Sequence, residues 1–293
     1  MYLNISYYKI MKKGVIFLAN ENLGNDFKIP KHNLTTTISY IEPNKIITRG
    51  YNQQDLIENL TFSEMVYLLL KGKLPTKKQG KLLNHVLVAF CDHGVTPPST
   101  QTARLISSSG SPLNNAVAGG LLSFGKHHAG AIEKVMTLYQ DAINDLNLSS
   151  DSDINNSLIA NKALDIVIPK ISNDEKIPGF GHRYHDKDPR ARKLLELVIK
   201  EGNLGPHVKL AIAMEQLLID KKGIYLNVDG VNGAILSDLG FNPKLGLGLF
   251  MIGRLPGLVA HSYEETMEEK EFRKFCNLED ITYVGFKDKK IND

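Results

Sequence analysis

From Thr61 onward, apolar residues recur at helical spacing in one segment after another, and Gly or Pro closes most of them. This succession confines the chain to a mainly α fold. Thr61 and Glu64 form a capping box ahead of the run MVYLLL, which Gly72 and Pro75 close. Residues 77–91 place Leu82, Leu83, Val86, Leu87 and Phe90 on one stripe. Residues 99–109 read as a helix capped by Ser99 and stopped by Gly110. Residues 113–124 carry a Gly119-Gly120 pair that costs helix propensity and signals close approach by another element. Further helices are predicted over 128–145, 157–171, from Pro189 onward, 206–220, 232–239 and 245–252, with a Ser, Asn and Asp linker at 146–156. The β signal is confined to residues 35–51, where Ile38 and Tyr40 precede a Glu42-Pro43-Asn44 turn and Ile46 and Thr48 follow it, as in a short hairpin.

Composition narrows the function. A chain of 293 residues, 42% hydrophobic and 23% charged, has the statistics of a folded globular protein. Its formal charge of +3 comes from basic residues spread along the chain, which argues for small anions rather than nucleic acid as partners. Two cysteines, Cys91 and Cys276, support neither a disulfide framework nor a cysteine-built metal site. Residues 1–20 lack a clean leader pattern, and no later segment approaches ~18 uninterrupted apolar residues. The expectation is a soluble, cytoplasmic chain without a membrane partner; residues 1–33 yield no chemistry.

The functional signal concentrates in residues 176–195, KIPGFGHRYHDKDPRARKLL. Gly179 and Gly181 flank Phe180 just before His182 and Arg183, so the backbone there can turn sharply or pass close to a ligand. Asp188-Pro189 then starts a helix, with Asp as cap and Pro at the first position. Arg190 and Arg192 occupy its first turn, where the macrodipole favours acidic side chains. An imidazole beside guanidinium forks suits a dianionic substrate.

Three other breaks carry titratable groups: Asp92-His93-Gly94, Lys126-His127-His128-Ala129-Gly130, and Asn227-Val228-Asp229-Gly230. With neither HExxH nor paired CxxC present, no metal site is expected. A carboxylate base, several imidazoles and arginine clamps suit proton abstraction beside a carbonyl, with donors holding an enolate oxygen.

The segment GFGHRYHDKDPRA resembles the signature of the citrate synthase superfamily, and residues 38–75, from ISYIEPNKIITRG to LLLKGKLP, resemble its N-terminal part. Within the superfamily the chain is most similar to stand-alone citryl-CoA lyases and to the lyase module of ATP-citrate lyase. Four features carry this likeness: Asp92-His93-Gly94, the segment LNVDGVNG, the segment LFMIGRLPGLVAH, and the tail LEDITYV. His128, in HHAGA, matches citrate synthase instead, because the ATP-citrate lyase module has an aromatic residue there.

The resemblance implies a two-lobed helical fold with a small N-terminal β-hairpin, residues 35–134 and 236–293 forming a large domain and 135–235 a small one. A homodimer or higher oligomer is implied. So is catalysis by His128, His182 and Asp229, with His93, Arg190 and Arg254 binding substrate carboxylates and Ile177, Gly179, Phe180 and Gly181 lining the coenzyme A site. No prosthetic group is implied; a coenzyme A thioester is substrate. The activity implied is cleavage of citryl-CoA to acetyl-CoA and oxaloacetate, supplied by a separate citryl-CoA synthetase. Citrate synthase activity is the alternative, and a non-catalytic coenzyme A or dicarboxylate sensor the third reading. Arg273 is a candidate for an arginine that reaches a partner's site.

Overall fold

A computed structural model describes residues 34–146, 155–286 and 290–291. Residues 1–33 and most of the expected linker lie outside them. Eleven α-helices and one small sheet make up the described residues. Strands β1 (Ser39–Glu42) and β2 (Lys45–Thr48) form the expected hairpin, with Ser39 opposite Thr48 and Glu42 opposite Lys45. A third strand, β3 (Tyr51–Asn52), extends the sheet antiparallel to β2.

The helices are α1 (Gln53–Asn59), α2 (Phe62–Lys71), α3 (Lys77–Phe90), α4 (Pro98–Ser108), α5 (Leu113–Leu122) and α6 (Ala131–Asn144). After these come α7 (Asn156–Ser172), α8 (Pro189–Lys200), α9 (Pro206–Lys222), α10 (Val228–Asp238) and α11 (Gly246–Glu268). Local caps set many of these boundaries. The Thr61/Glu64 capping box opens α2, and Gly72 at φ 73° ends it in the left-handed conformation that lacks a Cβ penalty. A second box, Thr76 with Gln79, opens α3.

Helix α10 is the axis of the fold. Val228 and every residue from Gly230 to Ser237 are buried, and the helix packs against α3, α6, α8 and α9. Helix α11 packs against α3, α4 and α5, and α4 lies along α5 at the expected glycine pair. A Cβ on Gly120 would stand 3.0 Å from the Ser99 carbonyl oxygen, which explains why that apolar helix carries glycine.

Several boundaries differ from expectation. Helix α6 starts at Ala131 rather than His128, and α10 starts at Val228 rather than Asn232, so His128 lies in a loop and Asp229 in a first helical turn. Helix α11 continues past Pro256 to Glu268, because residues beyond the proline, including Leu258, Ser262 and Glu265, stay buried. With the preceding 3-10 turn it forms a 26-residue run that is long and apolar enough, by length and composition, to cross a bilayer. Here its buried face packs inside the helical core, with Arg254 and Glu265 buried on it.

Candidate active site

The IPGFG loop and the start of α10 are stitched together by the backbone. Phe180 and Leu226 form an antiparallel bridge, Gly181 N–H donates to Tyr225 O at 2.8 Å, and Asn227 N–H donates to Gly179 O at 3.0 Å. Gly179 adopts φ 84°, and a Cβ there would lie 2.6 Å from Gly230 Cα. Glycine at this position is what lets the loop lie against the first turn of α10.

Asn227 completes the junction. Its Oδ1 accepts the N–H groups of Asp229 and Gly230, capping α10, while its Nδ2 donates to Gly181 O at 2.7 Å. Asp188 does the same for α8: its carboxylate accepts from Arg190 N at 3.0 Å and from Val228 N at 3.0 Å. One buried carboxylate thus ties the helix bearing Arg190 to the helix bearing Asp229.

A cavity of about 250 Å³ opens over this junction, and His93, His128, His182, Arg190, Asp229 and Arg254 all line it. All six residues expected to be catalytic or substrate-binding therefore converge on one space. Arg183 lines it as well.

The groups are individually oriented. His182 Nδ1 accepts the backbone N–H groups of Tyr184 at 3.1 Å and His185 at 3.2 Å, which places the imidazole proton on Nε2. Burial lowers its pKa, partly opposed by the Asp188 carboxylate, so the ring is a neutral hydrogen-bond donor at neutral pH. Arg190 is clamped by Asp188, with Nε 3.0 Å from Oδ1 and Nη2 2.9 Å from Oδ2. Arg254 donates from Nε to Phe90 O at 2.7 Å and is buried.

His128 Nε2 lies 2.9 Å from Ser99 Oγ, and burial, reinforced by Arg254 and Arg183, pushes its pKa down to about 4. Ala129, next to it, holds φ 61°, a conformation uncommon for a residue with a side chain. Asp229 is the converse case. Burial raises its pKa to about 6 against the pull of Arg190 and Arg254, and its Oδ1 is buried with no hydrogen-bond partner among the described residues.

His93, His182 and His185 offer ring nitrogens within 4.8 Å of one another, a spacing that a metal ion could bridge. The tautomer of His182 argues against that reading: Nδ1 is occupied by two amide donors, and Nε2 carries the proton that a ligand would have to shed.

A second cavity, of about 480 Å³, adjoins the first and shares Gly181, His182 and Arg183 with it. Ile177 and Phe180 line it beside Lys176 and Lys222. Gly179, expected with them, lines neither cavity; it is the contact point with Gly230 described above.

One expectation needs correction. Arg192 points away from the cleft and forms a two-pronged ion pair with Glu215, whose buried carboxylate also accepts Leu226 N at 2.7 Å. Arg273 is engaged within its own chain, 2.6 Å from Glu265 and 3.2 Å from Glu269. Sequence reasoning missed Ser99, taken as a helix cap. Pro97-Pro98 was the available signal, since proline favours the first helical position and moves Ser99 inside α4.

A family model described as "Citrate synthase, C-terminal domain" matches residues 32–82 and 77–274. The citrate synthase of Deinococcus radiodurans is 31% identical over 83% of this chain and 64% of its own length. The citrate/2-methylcitrate synthase of Bacillus subtilis is 31% identical over 78% of this chain and 58% of its own. The chain thus spans about three-fifths of the curated relatives it matches. Among solved structures, the citryl-CoA lyase of Hydrogenobacter thermophilus is 38% identical with a TM-score of 0.78, covering 89% of this chain and 98% of that one. The ATP citrate lyase of Methanothrix soehngenii, in complex with citrate and coenzyme A, shares the fold at 23% identity and a TM-score of 0.71, covering 95% of this chain and 46% of that one.

Proposed function

Because the chain belongs to the citrate synthase family, we propose that it is a citryl-CoA lyase, cleaving citryl-CoA to acetyl-CoA and oxaloacetate. The observation that carries the chemistry is Asp229, a buried carboxyl with its pKa raised to about 6 in a cleft lined by four imidazoles and three guanidinium groups. Such a group exchanges protons near neutral pH, as transfer to or from an acetyl methyl requires. The choice of lyase is supported by the match along 98% of the Hydrogenobacter enzyme at 38% identity.

The tertiary alcohol of citryl-CoA lies against His182, whose Nε2–H donates to its oxygen and stabilises the developing alkoxide while the hydroxyl proton passes to solvent, from which Asp229 later recovers the proton it gives up. The carbon–carbon bond then breaks, leaving the ketone of oxaloacetate and an acetyl-CoA enolate. His128, neutral at working pH, donates to the thioester oxygen on which that charge collects. With Nε2 committed to Ser99, its Nδ1 is the nitrogen left for the thioester. Asp229 delivers a proton to the methylene carbon. Arg190, Arg254 and His93 hold the carboxylates, and the second cavity accepts coenzyme A. Residues 135–235 form a lobe that closes on the remainder, the enzyme works as a homodimer or higher oligomer, and a separate synthetase supplies citryl-CoA.

Citrate synthase is the second reading, favoured by His128 and by the curated relatives. The two differ in hydrolysis of the thioester. A lyase given acetyl-CoA and oxaloacetate equilibrates them with citryl-CoA and releases no stoichiometric free thiol. Release of coenzyme A at one equivalent per citrate formed would establish the synthase instead. A sensor that binds without turnover has no use for a carboxyl placed as Asp229 is.

A further inference from the structure

His261 closes the segment LFMIGRLPGLVAH and takes part in none of the steps above. It lies two turns beyond Arg254 on α11, and its Nε2 is 3.0 Å from Asp92 Oδ1. The other oxygen of Asp92 accepts Gly94 N–H at 3.1 Å, so this carboxylate spans the residue between them. That residue is His93, whose buried Nε2 has no hydrogen-bond partner among the described residues and whose ring centroid is 5.2 Å from that of His182.

Around Gly94 the turn is open. Gly94 sits at φ 66° and would meet nothing with a Cβ, and Thr96 Oγ1 is a distant 3.4 Å from His93 Nδ1. On the α11 side the contact is firm. A Cβ on Gly257, one turn before His261, would stand 3.2 Å from Asp92 Oδ1. His261 Nδ1 faces Glu264 at 3.7 Å, and Glu264 is itself paired with Arg104. The imidazole is therefore braced on one side and bonded to the His93 turn on the other.

We propose that His261 is a positioning residue for His93: by holding Asp92 from α11, it sets the angle at which the His93 imidazole meets a substrate carboxylate. The proposal rests on the reading of the cleft as a dicarboxylate site. Burial alone would raise the Asp92 pKa; the Gly94 amide and, after it, the His261 hydrogen bond outweigh this and lower it. Half of the Asp92 side chain meets solvent, so water competes for the bond and the effect is graded rather than absolute.

The test is a pair of titrations, oxaloacetate alone and coenzyme A alone, on wild type, His93→Ala, His261→Leu and His261→Gln. His261→Leu should raise the oxaloacetate Kd about 5- to 20-fold while leaving the coenzyme A Kd within about twofold. Gln, whose amide nitrogen reaches about as far as Nε2, should restore most of the loss. His261→Leu binding oxaloacetate like wild type, or weakening both ligands alike, would overturn the positioning role. If His93→Ala itself binds oxaloacetate normally, the dicarboxylate reading fails and this inference falls with it. Should the Leu variant not fold, His261→Asn, whose shorter amide stops short of Asp92, must show the same split.

Discussion

Ser99 Oγ and His128 Nε2 are 2.9 Å apart in the buried wall of the cleft, joining the second residue of α4 to a loop 29 residues later in the chain. The bond fixes the imidazole, whose neighbour Ala129 already holds an unfavourable φ. Ser99→Ala leaves Nε2 unpaired and the ring free to rotate. The expected result is a fall in kcat of roughly 5- to 30-fold, with little change in oxaloacetate affinity. Steady-state kinetics beside a binding titration check it; an unchanged kcat would remove Ser99 from the account.

Arg254 and Arg192 were both attractive as anion clamps, and the structure separates them. Arg254→Ala should weaken oxaloacetate binding by an interaction of about 1.5–3 kcal/mol and lower turnover. Arg192→Ala should leave ligand affinity near wild type but lower stability by about 1–3 kcal/mol, because buried Glu215 loses its partner. Calorimetry of ligand binding and denaturant unfolding of both variants would show the crossover.

The raised pKa of Asp229 makes a signed prediction for stability. An unfolded aspartate titrates near 3.8 and the folded one near 6, so the folded state holds its proton more tightly. The stability this contributes is complete below about 3.8 and is lost as pH rises through 6. Above that, a buried ionised carboxyl destabilises the fold by about 3 kcal/mol. Asp229→Asn should therefore melt above wild type at pH 8 and level with it near pH 4. His128 gives the opposite dependence: depressed to about 4, it contributes stability present above about 6.5 and lost as pH falls toward 4. Melting curves of wild type, Asp229→Asn and His128→Asn across pH 4–8 check the two signs.

What was legible in the sequence follows from locality. The Thr61/Glu64 box, the Asp188-Pro189 start and Gly72 each act within one helical turn, so they could be read directly. The six cleft residues were legible through their motifs, although only the fold shows that they share one space. Arg192 was misread because its neighbour Glu215 lies on another helix. Gly179 was read for close approach to a ligand, and its contact with Gly230, 51 positions on, could not be seen in the sequence. The length of α11 was hidden by Pro256, which would end an isolated helix but is held here by burial on both sides.

The most direct measurement is a rapid-mixing assay of citryl-CoA with wild type and Asp229→Asn at matched concentration, following oxaloacetate release. The account predicts rapid cleavage by wild type, and cleavage slower by about 10²–10⁴-fold in the Asn variant with citryl-CoA affinity retained. Wild type that binds citryl-CoA and releases no oxaloacetate, or an Asn variant as fast as wild type, would contradict it.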